Sequence, residues 1–151
     1  MRSCFLISIL VSIIFCSCDP VETAKRKNER QIQKYMEKNN INGIATGTGL
    51  YYEITRTGDG QTPTILDEVT VDYEGRLKND DIFDSSYERG APSTFYLTQV
   101  IAGWTEGLQL IERGGAATLL IPSHLGYGKL GSFPNIPGDA VLVFDVELVD
   151  F

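Results

Sequence analysis

The sequence predicts an α+β domain in which an antiparallel sheet curls over one short helix. Three observations predict it. Val69, Val71 and Tyr73 alternate with Thr70, Asp72 and Glu74, the period of a half-buried strand. Trp104, Leu108 and Ile111 recur at helical spacing and Gly114-Gly115 stops them, which puts one short helix inside the domain. Runs rich in aromatic and β-branched residues flank that helix, separated by Gly, Pro and Asp turns.

At 151 residues the chain has the length of one domain with small additions, and 42% apolar residues suffice for one core. A formal charge of −7 argues against a nucleic-acid partner, which would need clustered cations for its phosphates. The basic run Lys25, Arg26, Lys27 has acidic neighbours and reads as a solvated helix face.

Residues 1–17 read as an export signal. Arg2 supplies a positive start, and the apolar run from Phe5 to Phe15 is too short to span a bilayer. The three cysteines, Cys4, Cys16 and Cys18, all lie here, so no disulfide can form within the domain even in an oxidising compartment. Ile14-Phe-Cys-Ser-Cys18 resembles the lipobox of bacterial lipoproteins, in which cleavage precedes a Cys that becomes lipidated. Ser17 fits the small residue before the cleavage point, Phe15 departs from the usual Leu-like residue, and Cys16 competes as an alternative. This resemblance implies a lipidated Cys18 and an exported, membrane-anchored lipoprotein of the bacterial cell envelope, on the periplasmic side or in the outer membrane. The alternative is a plain secretory signal with incidental cysteines.

The segment 18–47 reads as a helical spacer. Asp19 suits an N-cap, Pro20 the first helical position and Glu22 a capping box. Ile32, Tyr35 and Met36 form one weak apolar stripe, expected to rest on the domain or to stay largely solvated. Asn39 to Gly43 ends the helix.

Residues 48–151 form the folded domain. Leu50 to Ile54 reads as a strand, Gly58-Asp-Gly60 with Pro63 as a turn, and Val69 to Tyr73 as the next strand. Asn79-Asp-Asp81 is a turn and Phe95 to Leu97 a short strand before the helix. Ala117 to Ile121 and Ala140 to Val149 are further strands, joined by a Gly/Pro-rich loop from Gly126 to Gly138.

Several chemistries have no residues to run them. His124 is the only histidine, and no cysteine lies in the domain, so neither a Cys/His zinc site nor a Ser–His catalytic pair is expected. Gly47-Thr-Gly49 misses the dinucleotide fingerprint, Asp80-Asp81 reads as a solvated turn, and no second carboxylate supports paired-acid hydrolysis. The expectation is a site with no cofactor and no metal, one that binds without attacking.

Five motifs in fixed order supply such a site: Val69 to Leu77 (VTVDYEGRL), Ile82 to Ser86 (IFDSS), Gln99 to Trp104 (QVIAGW), Gly126-Tyr-Gly128, and Val141 to Leu148 (VLVFDVEL). Their order and spacing resemble the FKBP-type peptidyl-prolyl cis–trans isomerases, the tacrolimus-binding immunophilins, over residues 48–151. The resemblance implies a five-stranded antiparallel half-barrel wrapped around the short helix, with the active site between helix and sheet. It implies X–Pro isomerisation in proline-containing polypeptides and binding of macrolide inhibitors. It assigns Tyr73, Asp84 and Tyr127 to catalysis, and Phe83, Val100, Ile101, Trp104, Ile136 and Phe144 to substrate binding. Trp104 is the implied floor, the Ile101 N–H and Tyr127 hydroxyl the implied donors, and Arg89 the implied partner of Asp84.

Some positions depart from the family. Ser93 stands where many eukaryotic members have a pocket Phe, Ser132 where some have a His, Asn135 replaces an apolar rim residue, and the bulge before Val100 is shortened. These changes leave the floor intact and bear on substrate preference, macrolide affinity and turnover. Taken singly, Trp104, Val100, Phe83 and Phe144 also fit plain core positions, Tyr73 an interior tyrosine and Asp84 a turn cap. Tyr127 between two glycines poorly suits a packing anchor. A chaperone-like peptide-binding module with weak or no turnover is the alternative function.

Overall fold

The structure, a computed structural model, describes residues 20–151. The signal segment, Cys18 and the Asp19 cap lie outside the described residues. Helix α1 spans Pro20–Asn39, followed by strands β1 (Ile44–Ala45), β2 (Tyr51–Arg56), β3 (Glu68–Leu77) and β4 (Ile82–Ser85). Then come a one-turn helix α2 (Ser86–Arg89), β5 (Ser93–Tyr96), helix α3 (Ala102–Leu108), β6 (Ala116–Ile121) and β7 (Leu142–Asp150). Among the described residues no helix is long and apolar enough to cross a membrane.

The fold is mixed α and β with one antiparallel sheet. Its strand order is β1-β2-β6-β7-β3-β4, with β5 also on β3, seven strands where five were expected. The difference has a local cause. β4 pairs with the Glu74–Arg76 end of β3 and β5 with its Glu68–Val71 end, so one edge is split by α2. Ser85 caps α2 through its hydroxyl, and Gly90 ends it at φ 76°. β1 adds only the Ile44 and Ala45 pairings to Tyr52 and Tyr51.

The alternation read from the sequence holds along β3, where Val69, Val71 and Tyr73 point inward and their neighbours outward. Those side chains join Leu108, Ile111, Leu119, Ile121, Val146 and Leu148 in a core between α3 and the concave face. α3 sits very close to β6. A Cβ on Gly103 would lie 2.5 Å from Ile121 Cγ2, so only glycine lets the helix seat there. That seat sets the depth of Trp104, the next residue.

The opposite face is covered too. Ile32 and Tyr35 of α1 are buried against Leu120, Val141 and Val143, with Met36, Ile41 and Tyr51 at the margin. This is why β6 ends in the unbroken apolar run Leu119 to Ile121: Leu119 and Ile121 face α3 while Leu120 faces α1. The Ile32–Tyr35–Met36 stripe therefore belongs to a second core rather than to a solvated spacer surface. Full burial of Ile32 alone contributes roughly 1.5–3 kcal/mol. Polar contacts add direction: Tyr35 Oη donates to Asp80 Oδ1 at 2.9 Å and Lys38 Nζ to Asp80 Oδ2 at 3.0 Å, tying α1 to the β3–β4 turn.

Candidate functional site

A cavity of about 270 Å³ opens between α3 and the concave face, lined by Tyr73, Phe83, Asp84, Phe95, Gln99, Val100, Ile101, Trp104, Tyr127 and Phe144. Eight of the nine residues nominated from the sequence are among them; Ile136 is not. Two hydrogen bonds between Ser132 and Ile136, both 2.8 Å, fold that stretch back, and the Ile136 side chain turns into the core. Ile136 instead borders a shallower depression with Phe83, Asp84, Tyr127 and Phe133.

Each element supplies a wall. Tyr73 points in from β3, Phe83 and Asp84 come from β4, and Phe144 from β7. Gly75 faces Phe144 across one rung and Asp84 across the other. A Cβ on Gly75 would lie 2.6 Å from the Phe144 ring and 2.8 Å from the Phe83 ring, so its absence lets those rings meet edge to face at 5.5 Å. Trp104, only 4% exposed, is the floor. Edges of three rings meet it: Tyr73 at 4.9 Å, Phe144 at 5.2 Å and Phe95 at 5.5 Å between centroids.

One side of the cup is polar. Tyr73 Oη donates to Asp84 Oδ2 at 2.5 Å, and Arg89 Nη2 donates to Tyr73 Oη at 2.8 Å. Arg89 Nη1 forms an ion pair with Asp84 Oδ1. Arg89 Nη2 also donates to Ser93 Oγ at 3.0 Å, so Ser93 extends the polar wall. Burial, reinforced by the bond to Asp84, pushes the Tyr73 phenol up to about 12 against the lowering influence of Arg89. Burial and the Asp84 charge raise Tyr127 as well. Both phenols therefore stay protonated donors at neutral pH.

Other donors are unused. Among the described residues no protein group accepts from the Tyr127 hydroxyl or the Ile101 N–H, and the indole N–H of Trp104 is buried without an acceptor. The loop before α3 is itself held: Thr105 Oγ1 donates to the Leu97 carbonyl at 2.7 Å, while the Ile101 carbonyl accepts from the Trp104 N–H at 2.9 Å. These bonds take the Ile101 carbonyl and leave its N–H free.

His124 lies outside the cup, with Nε2 2.9 Å from the Thr48 carbonyl. No cluster of three or more His, Cys, Asp or Glu positioned for a metal ion occurs among the described residues. Sequence reasoning missed Phe95 and Gln99. Phe95 carried a usable signal, since it alternates with Tyr96 on a strand whose Ser93 already marked the site. Gln99 carried none.

A family model described as FKBP-type peptidyl-prolyl cis-trans isomerase matches residues 59–149. The probable FKBP-type peptidyl-prolyl cis-trans isomerase FkpA of Neisseria meningitidis is 49% identical over 125 residues, covering 83% of this chain and 45% of that protein. FkpA of Escherichia coli K12 is 47% identical over 125 residues, covering 82% of this chain and 46% of its own length. The chain thus spans less than half the length of these curated relatives. The crystal structure of E. coli FkpA superposes with a TM-score of 0.74 at 44% identity, over 85% of this chain and 61% of that one. A peptidyl-prolyl cis-trans isomerase from Pseudomonas syringae superposes with a TM-score of 0.75 at 32% identity, over 87% of this chain and 96% of that one.

Proposed function

The chain belongs to the FKBP-type peptidyl-prolyl cis–trans isomerase family, and we propose that its aromatic cup accelerates X–Pro isomerisation in proline-containing polypeptides without covalent chemistry. One observation carries the reading. A floor of Trp104 and Phe144, closed by Tyr73 and Phe95, faces donors on Ile101 and Tyr127 that no protein group uses among the described residues.

An X–Pro bond rotates over a barrier of about 20 kcal/mol and takes tens of seconds or longer unaided. At the twisted transition state the amide loses conjugation, and its carbonyl depends less on strong hydration. A dry cup favours that form over the planar, solvated one. The pyrrolidine ring stacks on Trp104 and Phe144, while the Ile101 N–H and Tyr127 hydroxyl hold the flanking carbonyls so that one side of the bond turns against the other. The Asp84–Tyr73–Arg89 network keeps the polar wall rigid; with Tyr73 held up near 12, it transfers no proton. A 10⁵-fold acceleration requires roughly 7 kcal/mol of differential stabilisation, within reach of shape, desolvation and two or three hydrogen bonds.

The same cup is proposed to take macrolide inhibitors. The substrates are proposed to be exported proteins, reached by a domain anchored to the bacterial envelope through a lipidated Cys18. The lipobox-like stretch supports that placement. A second reading, a chaperone-like binding module with little turnover, is favoured by Leu130 and Phe133, which are 94% and 95% exposed on the loop beside the cup. An isomerase assay on short X–Pro peptides separates the two. Acceleration that a macrolide abolishes supports the enzyme. Suppressed aggregation with no isomerisation moves the assignment to the module.

A further inference from the structure

We propose that Asn28 of α1 is a positioning residue for the cup, holding the loop that carries Tyr127. Its side chain is fully buried, at 0% exposure, on a helix whose adjacent residues Lys27 and Glu29 are partly or fully exposed. Oδ1 accepts from the Ser123 N–H at 2.7 Å, and Nδ2 donates to the Asp139 carbonyl at 3.2 Å. The orientation of the amide follows, because only its oxygen can meet an N–H and only its nitrogen a carbonyl.

Two backbone bonds complete the figure. The Gly128 N–H donates to the Ser123 carbonyl at 2.8 Å, and the Asp139 N–H donates to the Gly128 carbonyl at 2.9 Å. Asn28, Ser123, Gly128 and Asp139 thus close a ring of four hydrogen bonds, and Gly128 directly follows Tyr127. Nothing in the protein bonds the Tyr127 hydroxyl itself among the described residues. Its position is therefore set by the backbone, which the ring holds together with the Gly131 N–H bond to the Tyr127 carbonyl at 3.1 Å and the Gly126 N–H bond to the Ser123 carbonyl at 3.0 Å. Buried amide groups are costly unless satisfied, so the ring holds as a unit and loosens as a unit. The helix is part of the pocket's scaffold even though it lies on the far face of the sheet.

This inference rests on the isomerase reading, and the test separates the two. Asn28→Asp keeps the acceptor for Ser123 and loses the donor to Asp139. Asn28→Leu, of similar volume, loses both. Tyr35→Phe removes the Asp80 bond elsewhere on the same helix and is the control for general docking. With each variant verified as folded at the assay temperature, kcat/KM should fall about threefold to tenfold for Asn28→Asp and further for Asn28→Leu. Tyr35→Phe should match wild type. In a Tyr127→Phe background, Asn28→Leu should cost little more activity. Amide exchange at Ser123, Gly128 and Asp139 should quicken together in Asn28→Leu. A folded Asn28→Leu with wild-type kcat/KM overturns the proposal, as does an undiminished loss in the Tyr127→Phe background or an equal loss in Tyr35→Phe. Inactive wild-type protein would overturn the isomerase reading along with this one, whereas an active wild type matched by Asn28→Leu overturns this one alone.

Discussion

Replacing Tyr127 by phenylalanine removes one oxygen and leaves the ring. The structure makes this a clean perturbation. The hydroxyl has no protein partner among the described residues, so its loss breaks no bond of the folded state. The side chain is 41% exposed, so no buried group is stranded. Stability should change by under about 0.5 kcal/mol, and for a chain of this size Tm should move by less than ~2 °C. Activity should respond differently. If the hydroxyl holds a substrate carbonyl as the bond twists, its removal costs transition-state binding of about 1 kcal/mol, a several-fold fall in kcat/KM. The assay is X–Pro peptide isomerisation followed at several substrate concentrations, beside a melting curve. Unchanged kcat/KM would remove Tyr127 from the mechanism. A large fall in Tm would show that the hydroxyl has a structural partner and that the site has been misread.

Trp104→Ala should lose both properties. A buried ring met by three others leaves a cavity worth about 3–5 kcal/mol, and retained stability or activity would contradict its place as the floor. Activity should be flat from about pH 6 to 8, because the exposed His124 lies outside the cup and the Tyr73 phenol is pushed up to about 12; a bell-shaped profile lost in His124→Gln would refute this. Stability should hold up to about pH 10 and fall from there toward 12. Burial first, and the bonds to Asp80 and Asp84 second, push the Tyr35 and Tyr73 phenols up to about 12, so the fold disfavours their ionised forms; that contribution is fully present below the unfolded value of 10.0 and is lost as the pH rises toward 12, and a flat alkaline melting profile would contradict the burial of both phenols. A chain starting at Thr46 should still melt cooperatively, since the cup's own core lies within 48–151, but at a lower Tm because Leu120, Val141 and Val143 lose their cover; no change in Tm would mean α1 contributes nothing. Mass spectrometry of membrane-extracted protein should find diacylglyceryl mass on an N-terminal Cys18, and a soluble, unmodified N-terminus would sink the anchor.

Period and composition determined much of this protein by themselves. The alternation of Val69, Val71 and Tyr73 was enough for the central strand, because side chains on a strand must face opposite sides of the sheet. The spacing of Trp104 and Leu108 was enough to place α3, although the helix ends at Leu108, before Ile111 and the Gly114-Gly115 stop read for it, and the family resemblance carried by the ordered motifs nominated nine residues, eight of which line one cavity. What failed was whatever depends on partners far away in the chain. Nothing near Asn28 signals that it is buried, since its hydrogen-bond partners stand 95 and 111 residues later. The weak stripe of α1 does rest on the domain, the first of its two expected placements, but the choice between them needed Leu120, Val141 and Val143, whose second apolar face is visible only once β6 and β7 are paired. The local sequence does not say which way the 132–136 turn directs Ile136, nor that α2 splits one sheet edge into β4 and β5. Local patterning sets which face of an element is apolar. Which surface that face meets is decided only when distant segments compete to bury it, and that is a property of the assembled fold.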